Sequence, residues 1–357
     1  MNPLARRIAR TIGMSGPLPV SAFMTLALHD PQSGFYASRE PIGAEGAFIT
    51  APEISQIFGE LLGLWCAQVW QDQGCPENPR LVELGPGRGT LMRDALRALR
   101  SAPAFLNSLE VVLVEASKPL EAIQRASLHD ADVPVHWARQ WGEIAQNRPL
   151  FLLANEFLDA LPVRQFVMTE RGWCERVVVE SRGELAFALA PLPVPLAISA
   201  DRGAPDPGAV LEISPAGETL VEDVSRVIAA QGGGALLVDY GHTGRGFGET
   251  LQAVARHLPV DVLARPGEAD ISAHVDFAAM AESARRGGGQ TAGPVAQGDF
   301  LRALGIDIRA ERLGAADPVR APDIRSGIAR LTNPNEMGAL FKVLAVVPPH
   351  ALQPPGF

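Results

Sequence analysis

Cysteine, lysine and long apolar runs are all scarce in this chain of 357 residues. Its three cysteines, Cys66, Cys75 and Cys174, are an odd number, with no C-x-x-C pair and no clustered histidine. That excludes a disulfide scaffold or a structural zinc site and points to a reducing compartment. No apolar run reaches the ~20 residues that a membrane helix requires. The nearest, Phe187 to Ala200, is short and is broken by Pro191, Pro193 and Pro195. Positive charge is also in short supply, with 31 Lys and Arg against 40 Asp and Glu and a net charge of −9. A protein that tracks phosphates needs a basic excess, so general nucleic-acid binding is excluded. The acidic balance suits a cytosolic enzyme that meets a cationic substrate. Lys118 and Lys342 are the lysines and arginine supplies the rest, a bias of GC-rich genomes that makes a bacterial cytoplasm the expected location.

With 47% apolar and 20% charged residues, the chain has the means to bury a core, as one large domain with insertions or as two. The start, MNPLARRIARTI, reads as an amphipathic first helix with Leu4 and Ile8 inward in preference to a transit peptide. Thr50-Ala51-Pro52-Glu53 reads as a capping box with an early proline. Behind it Ile54, Ile57, Phe58, Leu61, Leu62, Trp65 and Val69 recur at helical spacing, predicting one long helix that ends near Gly74.

Continuous apolar runs at 80–84, 110–115, 133–137, 149–154 and 234–239 predict strands, with helices between them. That alternation predicts a mostly parallel sheet covered on both faces. Between the fourth and fifth strands, 166–200 alternates in the manner of strands, with turns at Arg171-Gly172 and Arg182-Gly183. The expected organisation is one domain with an N-terminal helical segment over 1–74 and a core over 75–160 and 209–242. A last strand at 338–347 completes the core, a β-rich insertion occupies 161–208, and loops and short helices over 243–336 cover the open end of the sheet.

The sharpest motif is Val82-Glu83-Leu84-Gly85-Pro86-Gly87-Arg88-Gly89-Thr90, which joins a buried strand to a helix. Glycine there permits a tight turn and close approach of backbone to a ligand. Thr90 stands where the dinucleotide fingerprint requires its third glycine, which argues against an NAD dehydrogenase. The spacing present, E-x-G-x-G-x-G, is the form typical of S-adenosylmethionine (SAM) methyltransferases. Glu83, Gly85, Pro86, Gly87 and Gly89 are its candidate cofactor residues. Glu115 ends the second strand, where a carboxylate can accept both ribose hydroxyls. It supports a nucleoside ligand without choosing which.

Ligands of open parallel sheets sit beyond the carboxyl ends of the strands. Asn155, Glu156 and Asp159, after the fourth strand, are therefore the candidate catalytic residues, Asn155 also being a cofactor candidate. The alternative for Asn155 and Asp159 is that they only organise the turn. Methyl transfer needs an aligned nucleophile and no metal, and carboxylates grip a guanidinium acceptor bidentately. Asp239-Tyr240-Gly241-His242 ends the fifth strand in the same zone and reads mainly as a hydrogen-bonded wall.

These segments together resemble the MidA-type SAM-dependent methyltransferases, whose mitochondrial members are complex I assembly factors that methylate a protein arginine. The matching stretches are SGFY, GAFITAPEISQIFGELLGLW, LVELGPGRGTL, LVEAS, ANEFLDALPV, VDYGH, PGEADISAHVDF, GPVAQGDFLRALGI and MGALFKVLA. The resemblance implies a class I methyltransferase fold, a Rossmann-like α/β sheet, with SAM held at Gly85, Gly87, Gly89 and Glu115. It further implies that Thr50, Pro52 and Glu53 border the cofactor and that Asn155 and Glu156 lie at the active site. Gly46-Ala47-Phe48 departs from the usual Gly-Asp-Phe of the family, so a carboxylate is missing there, and Leu158 replaces a more usual Phe.

The leading expectation is thus methylation of an arginine on a protein partner, by resemblance a quinone-module subunit of respiratory complex I. A SAM-binding assembly chaperone with little catalysis and a small-molecule methyltransferase are the alternatives. No metal and no nucleic-acid partner are expected, and a homodimer is allowed for.

Overall fold

The apolar runs do pair side by side. The computed structural model describes residues 1–38, 50–198, 200–244, 246–255 and 258–357. The departure at Ala47 lies outside the described residues. Within 50–158, 219–242 and 277–357, which form one compact unit, the strands are β1 (Arg80–Leu84), β2 (Glu110–Val114), β3 (Val135–Ala138), β4 (Leu150–Asn155), β5 (Gly233–His242), β6 (Gln290–Ala296) and β7 (Phe341–Val347). Across the sheet they lie in the order β3-β2-β1-β4-β5-β7-β6. β1 to β5 are parallel, and β7 runs antiparallel to both β5 and β6. The chain winds one way from β1 to β3 and the other way from β4 to β5. That makes the gap between the ends of β1 and β4 the topological switch point, where such sheets bind ligands. The ends are level there: Leu84 pairs with Val114 and Ala154, and Asn155 with Val238.

Both faces of the sheet are buried, which is why these strands read as apolar runs without alternation. On one face Leu81, Leu113, Phe151, Leu153, Leu236 and Val343 share a core with the helices α1 (Gln56–Asp72) and α2 (Thr90–Leu99). The other face, with Val82, Val112, Leu152, Leu237 and Val346, is equally buried. The unit also holds α3 (Lys118–Ser127), α4 (Pro215–Gln231, mostly in this unit) and α5 (Phe277–Arg286), the last in contact with β5, β6 and β7. Ser225 of α4 donates to the Ala284 carbonyl of α5 at 2.5 Å. α1 and α2 approach closely because Gly59 and Gly63 lack side chains. A Cβ at Gly63 would stand 2.8 Å from both Cα and Cβ of Ala95.

The expected single helix behind Thr50 is in fact two, Ala51–Ile54 and α1. Ser55 is extended between them and its hydroxyl accepts from the Ile57 N–H of α1, so Ser55 caps the long helix. Thr50 makes no side-chain cap. The N–H of Ala51 at the first helical position donates to the Glu156 carboxylate, a partner distant in sequence that no local pattern reveals.

The second unit draws on the described residues of 1–48 together with 159–218 and 243–276. Helices Pro3–Ser15 and Val20–His29 bury Leu4, Ile8, Phe23 and Leu28 in its core. Strands Arg164–Thr169, Gly172–Ser181 and Glu184–Pro193 form the expected β-rich meander. Arg182 and Gly183, both at positive φ, make its tight second turn. Three boundaries differ from expectation. Segment 1–74 is divided, because Leu18 and Pro19 pair with Val178 and Val177 of the meander. Val210–Ile213 pairs with Arg164–Thr169 and so belongs to this sheet and not to the core at 209–242. Segment 243–336 is divided at Asp276, and its later part contains β6, whose Gln-Thr-Ala-Gly-Pro-Val-Ala carries too few large apolar side chains to read as a strand.

Candidate active site

At the end of β1 the backbone enters the left-handed region three times, at Gly85 (φ 60°), Gly87 (φ 52°) and Gly89 (φ 78°). A side chain there is strained, which is why alternate glycines are needed. Gly85 N–H donates to the Val114 carbonyl (3.1 Å), and Gly89 N–H donates to the Pro86 carbonyl (2.7 Å), closing the turn. A Cβ on Gly85 would meet the Phe157 ring at 2.8 Å. Gly89 is the cap residue of α2 and offers no side chain. The Thr90 hydroxyl that follows donates to Glu53 Oε1. Thr50, Pro52 and Glu53 are therefore brought to this loop, through Glu53.

Glu83 is 3% exposed, and its Oε2 has no hydrogen-bond partner among the described residues. Burial pushes its carboxyl up to about 8; the Met92 N–H opposes the rise and the nearby Glu115 charge adds to it. Glu115 follows β2 and accepts from Ser117 N–H at Oε1 (2.7 Å) and from Gln124 Nε2 at Oε2 (3.0 Å). Burial raises its pKa, while these donors hold it down. The Ser117 hydroxyl oxygen is buried without a partner among the described residues.

Asn155 closes β4. Its Nδ2 donates to Glu156 Oε1 (3.2 Å), and its buried Oδ1 has no partner among the described residues. Glu156 is left-handed at φ 49°, a costly conformation for a residue with a Cβ. Its Oε1 also accepts the Ala51 N–H at 3.0 Å. The turn is held by Asp239 Oδ2 of β5, which accepts from the N–H groups of Phe157 (3.1 Å) and Leu158 (2.9 Å). Asp239 is thus the hydrogen-bonded wall its position implied. Asp159 belongs to the other unit, where its carbonyl accepts from Ala273 N–H at 3.0 Å. Gln124, wholly buried on α3, was not singled out from the sequence, since a glutamine on a helix gives no signal.

A doubly wound sheet with a glycine turn at its switch point and a carboxylate after the neighbouring strand defines a nucleoside-cofactor enzyme of the α/β class. Comparison with known proteins narrows the class. A family model described as S-adenosyl-L-methionine-dependent methyltransferase matches residues 61–295. The protein arginine methyltransferase NDUFAF7, mitochondrial, of Mus musculus is 36% identical over 98% of this chain and 85% of its own. The NDUFAF7 homologue of Drosophila melanogaster is 37% identical over 97% and 85%. A Burkholderia thailandensis structure bound to S-adenosyl-homocysteine is similar at a TM-score of 0.85 and 30% identity, covering 96% of this chain and 91% of that one. The chain belongs to this MidA-type family and is a SAM-dependent methyltransferase.

The residues present fit SAM. Of the buried polar atoms without partners among the described residues, Glu83 Oε2 and Asn155 Oδ1 lie in the last residues of β1 and β4, and Ser117 Oγ lies just past β2. Such atoms cost free energy unless something pairs with them, and a polar ligand does so. No helix among the described residues is long and apolar enough to cross a membrane.

Proposed function

We propose that this enzyme methylates an arginine of a protein partner, with Glu156 as the residue that meets the guanidinium. The observation that carries this reading is the strained Glu156 at the end of β4, held at φ 49° by hydrogen bonds from both sides of its turn. Left-handed backbone at a non-glycine residue costs about 1–3 kcal/mol and collects at functional sites. When bound, SAM supplies a methyl group activated by its sulfonium. Glu83, Gly85, Pro86, Gly87, Gly89 and Glu115 would hold it, with Asn155 Oδ1 available at the β4 end and Thr50, Pro52 and Glu53 bordering the loop.

An arginine acceptor brings a second positive charge, and its lone pairs are delocalised over the guanidinium. A carboxylate at that point offsets the charge and orients the acceptor nitrogen. Glu156 Oε1 accepts from Ala51 and Asn155, which fixes the carboxylate at the end of β4, and we assign that carboxylate to the acceptor. The name borne by the curated relatives supports arginine. By the family resemblance the partner is a complex I subunit, and the arginine bias of the chain supports a bacterial cytoplasm as the setting.

The test is transfer of label from SAM to extract proteins of a deletion strain. Wild-type enzyme should label a protein band on arginine. Glu156→Gln keeps the acceptor oxygen for Ala51 and should bind SAM normally while labelling falls about a hundredfold. Bound SAM with no labelled protein from the wild type would remove the arginine reading. Restoration of partner assembly by Glu156→Gln would favour an assembly chaperone instead.

A further inference from the structure

Gln124 joins three parts of the site through one side chain. Its Nε2 donates to the Gly87 carbonyl at 2.8 Å and to Glu115 Oε2 at 3.0 Å, and its Oε1 accepts from the Trp137 indole N–H at 2.9 Å. The orientation of the amide is unambiguous, because an indole N–H only donates and must face the oxygen. That leaves the two amide hydrogens for Gly87 and Glu115. Trp137 lies on β3, and the Arg125 guanidinium stands 4.0 Å from its ring centre. Gln124 itself is fully buried.

We infer that Gln124 is the positioning residue that sets the Glu115 carboxylate and the Gly87 peptide for the ribose of the cofactor. The inference rests on Glu115 as the ribose acceptor. Glu115 Oε1 accepts from Ser117 and Oε2 from Gln124, with the Ala116 N–H adding a third donor. Those bonds fix the plane of the carboxylate while leaving a further lone pair for a hydroxyl donor, since a carboxylate offers about four acceptor sites. The same amide holds the carbonyl of Gly87, whose left-handed backbone shapes the floor of the loop. The acid and the loop therefore keep one spacing, set by the length of a single amide. A glutamate at this position would lose both donors and repel Glu115. A methionine would keep the length without either donor.

The experiment is calorimetric binding of S-adenosyl-homocysteine and of its 2′-deoxyribosyl analogue to wild type, Glu115→Ala, Gln124→Met and Trp137→Phe. Wild type should prefer the ribosyl ligand by about tenfold or more, the scale of a hydrogen bond to a charged group. Glu115→Ala and Gln124→Met should each bring the ratio to within about twofold, and the double variant should lower it no further. Trp137→Phe, which keeps both donors of Gln124 and removes the group that orients it, should reduce the ratio part of the way. A purely structural role would weaken both ligands equally and leave the ratio intact, so a wild-type ratio in Gln124→Met overturns the inference. Should Gln124→Met not fold, a wild-type ratio in Trp137→Phe overturns it. A wild-type ratio in Glu115→Ala would instead remove the ribose assignment of Glu115, and the role of Gln124 with it.

Discussion

Replacing Glu83 by glutamine exchanges a buried titrating side chain for a neutral one of the same shape. Burial pushes the native carboxyl from 4.5 up to about 8. Between those values the folded state keeps a proton that the unfolded state has released. Stability therefore falls as pH rises through that window and levels off above it. At pH 7 the window has been crossed for ~2.5 units at ~1.36 kcal/mol each, a cost of about 3 kcal/mol to the wild type. At pH 5 the same reckoning leaves under about 1 kcal/mol. Glutamine carries no such cost and keeps an acceptor for the Met92 N–H. Glu83→Gln should thus stabilise the ligand-free protein by about 3 kcal/mol at pH 7 and by much less at pH 5. Urea denaturation of both proteins at pH 5, 7 and 8 measures the difference. The same substitution should weaken SAM binding, since it replaces the carboxyl whose buried Oε2 has no partner among the described residues and is available to the ligand. A stability difference independent of pH, or a glutamine variant less stable at pH 8, would refute the reasoning.

Gly85→Val puts a branched side chain into left-handed backbone with its Cβ 2.8 Å from the Phe157 ring; it should abolish SAM binding by calorimetry. Glu115→Gln brings an amide nitrogen against the donors of Ser117 or Gln124 and removes the charge from the ribose contact. We expect a loss of about 1.5–3 kcal/mol in SAM affinity, and a loss under tenfold would make Glu115 a bystander. Gly63→Ala raises helix propensity yet forces α1 away from Ala95. Its melting temperature should fall, with a cost of about 1–3 kcal/mol.

Much of the fold was legible because its signals are local. The strands at 80–84, 110–114, 150–155 and 233–242 are buried on both faces, so most of their residues are apolar without alternation. The glycines of the loop are dictated by three left-handed backbone positions, a constraint that any chain entering that turn must meet. β6 was not legible, because its pairing with β7 and not its composition makes it a strand. The helix break at Ser55 escaped notice because the apolar spacing of Ile54, Ile57 and Phe58 runs across it, while the extended backbone of Ser55 is not encoded in that spacing.

The sequence by itself determined the parallel sheet, the glycine turn and the acid after β2, since periodicity, backbone sterics and strand-end position are properties of short segments. Only the tertiary structure decided which unit each segment joins and which polar groups meet. It sent 1–38 and 210–213 to the meander, placed Asp159 in a different unit from Glu156, made Asp239 the clamp of the Glu156 turn, and brought Gln124 between Gly87, Glu115 and Trp137. Those meetings join residues far apart in the chain, and hydrogen bonds act over about 3 Å of space whatever the distance along the sequence.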